Sequence, residues 1–171
     1  MRIIRALFRG ETVTVAGEHY SISGATLFPP LRHGVPVLLA AGGRRAIELA
    51  AREADIVAIG AFSGSGLMEQ LEWMRAAAGD RFPRIELGMR FSVLPEGDER
   101  ARQHAESIMR GFGGDLDELI RAGAPNVVMG SPAGMAEQLE ERRARFGLSY
   151  VVVDLDVLDA FAPVVERLAG R

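Results

Sequence analysis

Two adjacent glycines and two arginines stand where an apolar run at 37–41 gives way to a helical pattern of apolar residues. Glycines let the backbone approach a ligand closely, and the N–H groups at a helix start carry about half a positive charge, so such a turn binds phosphate. Arginines in a first helical turn oppose the helix dipole unless an anion lies nearby. The alternative is a plain turn with two solvated arginines. The candidate anion site consists of Ala41, Gly42, Gly43, Arg44 and Arg45.

A second candidate site lies in the run 85–94, where apolar and polar residues alternate. Arg90 and Ser92 fall on the polar face of the strand that this alternation predicts. If that face lines the inside of a barrel, both side chains point toward a ligand. The interpretation that the residues favour is an internal salt bridge from Arg90 to Glu86 or Asp154, because a buried arginine needs a partner.

Two carboxylates, Asp154 and Asp156, share one face at the end of the last predicted strand. Paired carboxylates can hold a metal or act as acid and base. We expect no metal site, because capping of the following helix accounts for Asp156. The three histidines lie on different predicted elements, His19 on a hairpin turn, His33 on a loop and His104 on a helix surface. Their spacing indicates neither metal ligation nor a catalytic triad.

The composition excludes several kinds of chemistry. All 20 basic residues are arginine, and the chain has no cysteine. Schiff-base lysines, thiol nucleophiles, disulfides, iron–sulfur clusters and cysteine zinc sites are therefore excluded. The sequence also lacks the Gly-x-Ser-x-Gly and Gly-x-Gly-x-x-Gly motifs.

The charge pattern argues against two classes of partner. The formal net charge is −3, and arginines alternate with acidic residues, so no basic stripe is available for nucleic acid. No apolar stretch is long enough to span a membrane, and the first nine residues are too short and too charged for a signal peptide. We expect a cytoplasmic protein with no nucleic-acid or membrane partner.

The elements that position these residues follow a regular order. Apolar runs typical of strands at 37–41, 56–59, 85–94 and 150–155 are each followed by a helical pattern, and 126–130 is a short extended piece. Strand and helix in alternation predict parallel strands covered by helices, an α/β fold. We expect one domain over 1–171, within which 1–36 form a short helix, a small hairpin and a connection.

Four segments resemble the C-terminal part of the luciferase-like oxidoreductases, TIM-barrel enzymes that use FMN or coenzyme F-420. They are 3–11 with its hairpin, 35–45, 49–57 and 129–150, in the family's order. The resemblance implies a partial (β/α)8 barrel, with four parallel βα units equivalent to strands five to eight. A whole barrel needs roughly 250 residues. The Ala-Ala-Gly-Gly turn is more similar to the F-420 users.

The resemblance also implies a function for the candidate residues. In the family, the turn after the fifth strand cradles the cofactor phosphate, which places residues 41–45 at that site. The expected activity is hydride transfer between F-420 or FMN and a small organic substrate. The alternative is a non-catalytic half-barrel that binds a flavin-type phosphate or only self-associates. Open strand edges in a half-barrel predict a homo-oligomer.

Overall fold

The computed structural model describes residues 1–60 and 62–170. Contacts divide the chain into two compact units, Met1–Val37 and Leu38–Arg171. The expectation of one domain over 1–171 stays a prediction, and Arg171 lies outside the described residues. None of the described helices has the length and apolar character needed to cross a membrane.

The first unit contains the predicted helix and hairpin. Helix α1 spans Arg2–Phe8, and strands β1 (Val13–Ala16) and β2 (Ser21–Ala25) pair in antiparallel fashion. A Cβ atom on Gly17, in the turn between the strands, would lie 2.8 Å from the carbonyl oxygen of Tyr20. The close approach of the backbone therefore requires glycine at this turn.

The second unit alternates strands and helices. Two short 3-10 helices cover Gly79–Arg84 and Leu155–Val157. The other elements, in chain order, are β3 (Leu38–Ala41), α2 (Arg44–Glu53), β4 (Ile56–Ile59), α3 (Gly64–Ala78), β5 (Glu86–Arg90), β6 (Ser92–Pro95), α4 (Glu99–Gly111), α5 (Leu116–Arg121), β7 (Val127–Gly130), α6 (Pro132–Phe146), β8 (Leu148–Val152) and α7 (Leu158–Leu168).

A four-stranded parallel sheet in the order β3-β4-β5-β8 forms the centre of this unit. Its main core cluster joins buried side chains of these strands to those of the covering helices, such as Ile47, Val57 and Leu71, each 0% exposed. Burial of these apolar side chains is the main stabilising contribution to such a layer. The α/β class with four parallel βα units is confirmed.

The predicted strand 85–94 is wrong in one respect, because it is two strands in two sheets. At Phe91 the backbone N–H donates to the carbonyl of Val152, 2.8 Å away, whereas the N–H of Ser92 donates to the carbonyl of Asn126, also at 2.8 Å. Strand β5 therefore pairs with β8, whereas β6, which follows it directly, pairs with β7. The alternation of apolar residues continues through this change of partner, so periodicity does not reveal it.

The end of the chain differs from the prediction as well. Strand β8 ends at Val152, and Leu155 begins a 3-10 turn instead of ending the strand. The prediction that Asp156 caps the last helix is wrong, because α7 begins two residues later and has Val157 at its N-cap with no side-chain hydrogen bond. The carboxylate of Asp156 instead lies beside His104, an interaction that fixes its position.

Candidate functional site

The carboxyl ends of β3, β4 and β5 surround a cleft. Parallel strands bring the loops that follow them to one edge of the sheet, where ligands of α/β proteins bind. Two cavities open there, of about 380 and 200 Å³, and they share Ile59, Gly60 and Arg90. The other residues of the larger cavity are Ala40, Ala41, Gly42 and Ala58, and those of the smaller are Phe62, Met89, Ser92, Ile108, Met109, Phe112 and Asn126.

Small residues create the space in the larger cavity. Ala40 is opposite Ala58 in the pairing of β3 with β4, and both line this cavity together with Gly42 and Gly60. This part of the cavity wall therefore consists of methyl groups and backbone, which leaves room for a ligand beside the turn at Gly42.

The turn from β3 into α2 ends at an uncapped helix start. Gly43 is the N-cap, in extended conformation with φ −92° and ψ 155°, and no side chain of the described residues caps the helix. The first N–H groups of an α-helix have no partner within the helix. Four other helices of the same unit have a side-chain cap, from Ser63 in α3, Asp98 in α4, Asp115 in α5 and Ser131 in α6.

The two glycines of this turn face open space. A Cβ atom on Gly42 or Gly43 would meet no heavy atom within 4 Å. Neither residue has a positive φ angle, so the fold of the turn does not itself require glycine. Because they have no side chain, the two glycines instead leave space for a ligand to approach the turn from outside.

The arginines of the predicted site lie on the first turn of α2. Arg44 forms an ion pair with Glu48, with Nε 3.0 Å from Oε1, and its guanidinium lies 5.9 Å from the ring centre of Trp73. Such an exposed pair, four residues apart on a helix, contributes about 0.3–0.5 kcal/mol. Arg45 is exposed. The five predicted residues, Ala41 to Arg45, thus lie together at one end of the cleft.

Gln70 is a residue of the site that the sequence analysis missed. Its Nε2 donates hydrogen bonds to the carbonyl oxygens of Gly42 at 3.1 Å and Gly60 at 2.9 Å, so it ties the ends of β3 and β4 together. The side chain is only 9% exposed, and its Oε1 has no partner among the described residues. The sequence signal that could have revealed Gln70 is its place, as a polar residue, on the same helix face as Leu67 and Leu71.

Arg90 has the charged partner that the sequence predicted. Its Nε and Nη2 donate to the same oxygen of Asp154, at 3.1 and 2.7 Å. The other predicted partner, Glu86, accepts a hydrogen bond from Ser149 instead, with the two oxygens 3.4 Å apart. The Arg90 side chain is 45% exposed and lines both cavities, so it is paired and at the same time open to the cleft.

His104, on α4, lies between two carboxylates. Its Nδ1 is 2.9 Å from Oδ2 of Asp156, and its Nε2 is 3.5 Å from Oδ2 of Asp154. The sequence analysis placed His104 on a helix surface and gave it no role, because His104 and Asp154 lie 50 positions apart in the sequence. Within the described part of the chain, no group of three or more His, Asp or Glu side chains is arranged to hold a metal ion.

Comparisons with known proteins agree with this architecture. An F-420-dependent secondary alcohol dehydrogenase has a TM-score of 0.69 at 15% identity over 97% of this chain and 58% of its own. An F-420-dependent tetrahydromethanopterin reductase from Methanopyrus kandleri has a TM-score of 0.72 at 15% identity, over 95% and 58%. A monooxygenase from Streptomyces bottropensis has a TM-score of 0.66 at 20% identity, over 90% and 51%.

These likenesses define the fold as part of a TIM barrel of the luciferase-like type. The chain spans 58% of the length of the first two structures. The sequence model of the luciferase-like monooxygenases matches residues 1–149. The chain belongs to the luciferase-like monooxygenase family.

Proposed function

We propose that this chain forms the phosphate-binding side of an oxidoreductase that uses coenzyme F-420 or FMN and acts on a small organic molecule. The observation that carries the proposal is the uncapped start of α2 at Gly43, which directly follows Gly42 at the edge of the larger cavity. Both glycines have open space where a side chain would lie. Solved structures of similar fold include F-420-dependent enzymes and a riboflavin lyase with modified FMN.

A phosphate group fits the residues at this turn. Backbone N–H groups at residues 43–45 offer hydrogen bonds, and the helix dipole adds partial positive charge. The open space beside Gly42 and Gly43 lets phosphate oxygens approach the backbone closely. An anion here also relieves the unfavourable placement of Arg44 and Arg45 on the first helical turn.

Arg44 is able to reach such an anion at small cost. The Arg44 side chain is 68% exposed, so water screens its attraction to Glu48. Exchange of that carboxylate for a phosphate replaces one charge-assisted hydrogen bond of Arg44 with another. Because Arg44 lies over Trp73, the only tryptophan of the chain, this exchange alters the surroundings of the indole ring.

The chain's own residues bind and orient the ligand, whereas F-420 or FMN, when bound, supplies the hydride transfer. Gln70 holds the carbonyls of Gly42 and Gly60 and thereby fixes the turn. Ala40 and Ala58 leave room beside it. Arg90 lines the same cavity, and we assign it to the binding of the substrate.

Titration of FMN and F-420 against three variants tests the proposal. The Gly42→Ala, Gly43→Ala double variant adds two methyl groups that the protein tolerates, so we expect an unchanged fold and an affinity lowered about tenfold or more. The Arg44→Ala, Arg45→Ala double variant should also bind more weakly. Gly111→Ala is the matched control, because its added methyl group meets no neighbour and lies outside the cleft.

Two signals report the binding independently. Cofactor absorbance measures occupancy, and the fluorescence of Trp73 reports the movement of Arg44. Equal affinity of wild type and both double variants would exclude the turn as the phosphate site.

A further inference from the structure

Asp154 holds one edge of the Arg90 guanidinium. Both hydrogen bonds, at 3.1 and 2.7 Å, come from the Nε–Nη2 edge and reach the single oxygen Oδ1. This is the edge with which arginine binds a carboxylate or phosphate of a ligand. Arg90 lines both cavities of the cleft, so Asp154 occupies a position that a ligand anion would otherwise take.

The second oxygen of Asp154 faces the imidazole ring of His104. Oδ2 lies 3.5 Å from Nε2 of His104, and the other ring nitrogen lies 2.9 Å from Asp156. On α4 itself, the charged residue one turn before His104 is Arg100, which is exposed. The groups that face the imidazole are thus two carboxylates, with Arg90 bound to one of them.

The Arg90–Asp154 pair is exchangeable. The arginine is 45% and the aspartate 25% exposed, and ion pairs of this exposure contribute about 0–1 kcal/mol. When Arg90 turns to another anion, Asp154 keeps His104 as its neighbour.

We propose that Arg90 binds an anionic group of the substrate, a carboxylate or phosphate, and that this group displaces Asp154 from the Nε–Nη2 edge while Asp154 stays beside His104. Arg90 is the binding residue, whereas Asp154 and His104 are positioning residues. The inference rests on the proposed function, because it names the substrate class of the same cleft. The exchange at Arg90 itself requires no cofactor.

The proposal fixes the direction of a substitution effect. Asp154 competes with a ligand anion for the Nε–Nη2 edge of Arg90, so loss of its charge favours anion binding. We expect Asp154→Asn to bind sulfate at least about threefold more tightly than wild type does.

Calorimetric titration of sulfate against wild type, Asp154→Asn and Arg90→Gln measures the three affinities. Arg90→Gln removes the binding residue, so its affinity should be lower than that of wild type. A residue with a merely structural role would not give tighter binding on substitution.

His104→Gln provides a second test that does not depend on the folding of Asp154→Asn. It should retain sulfate binding, because Arg90 and not His104 holds the anion. The Arg44→Ala, Arg45→Ala double variant removes two charges from the start of α2, and sulfate binding at Arg90 should remain in it. Failure of the α2 site therefore leaves the effect of Arg90→Gln on sulfate affinity intact, and failure at Arg90 leaves the Trp73 response intact. Sulfate affinity that Arg90→Gln does not lower, or that His104→Gln abolishes, would overturn the proposal.

Discussion

The side-chain amide of Gln70 donates a hydrogen bond to the carbonyl oxygen of Gly42, with Nε2 3.1 Å from that oxygen. The same nitrogen reaches the carbonyl of Gly60 at 2.9 Å. One buried side chain on α3 therefore fixes two loops that line the cleft. The geometry of the turn depends on a residue that does not itself line either cavity.

Substitution of Gln70 should disturb the turn more than the fold. Gln70→Met retains the length of the side chain but leaves two carbonyls without their donor, while it also removes the unpartnered Oε1. We expect a loss of about 1 kcal/mol in the free energy of unfolding and a several-fold lower affinity for FMN. Urea unfolding and FMN titration measure the two effects.

The control for Gln70 is Glu69→Gln, an exposed position on the same helix. It should leave both quantities unchanged. Gln70→Met with the FMN affinity of wild type would mean that the Gly42 carbonyl does not need this anchor.

Arg142 should be among the residues most important for stability. Its Nε donates to the carbonyl of Pro125 at 2.8 Å, its Nη2 to that of Val127 at 2.7 Å and its Nη1 to that of Gln138 at 2.8 Å. These hydrogen bonds attach the start of β7 to α6. Burial lowers the pKa of Arg142 from its ordinary value, although the guanidinium keeps its charge near neutral pH.

Arg142→Met removes the buried donor that these carbonyls share, so we expect a loss of about 2–4 kcal/mol in the free energy of unfolding. Arg145→Met is the matched control on the exposed side of α6, where a smaller effect is expected. Similar midpoints of urea unfolding for the two variants would disprove the structural role of Arg142.

Self-association is a further prediction. Strands β3 and β8 are the edges of the four-stranded sheet, and edge strands present unpaired N–H and C=O groups. Leu38, Tyr150 and Val152 on these strands are 41%, 39% and 36% exposed. We propose that a second copy of the chain covers them, and that the substitution Val152→Arg weakens the contact. Sedimentation velocity at micromolar concentration checks this, and a well-folded wild-type monomer would contradict it.

The sequence revealed those parts of the site that depend on neighbours along the chain. Two glycines after an apolar run predicted the turn at Gly42, where β3 ends and α2 begins. Alternation over 85–94 placed Arg90 on the polar face, where it meets Asp154. Local propensity and periodicity are sufficient for such features.

Local propensity and periodicity do not predict contacts between segments that are distant in the sequence. His104 and Asp154 are brought together by the fold alone, and the exchange of β8 for β7 at Phe91 leaves no mark on the apolar pattern. Asp156 satisfied the sequence preference for a helix cap, but the 3-10 turn at Leu155–Val157 moved the helix start. Tertiary interactions decided these positions against local preference.

The most direct test of the central claim compares FMN with riboflavin, which has the same ring but no phosphate. In a two-dimensional amide NMR spectrum, FMN should shift the N–H signals of Gly43, Arg44 and Arg45 in a saturable manner, because these groups contact the phosphate. Riboflavin should leave them unchanged and bind about tenfold or more weakly. Equal shifts and equal affinity for the two compounds would contradict a phosphate site at the start of α2.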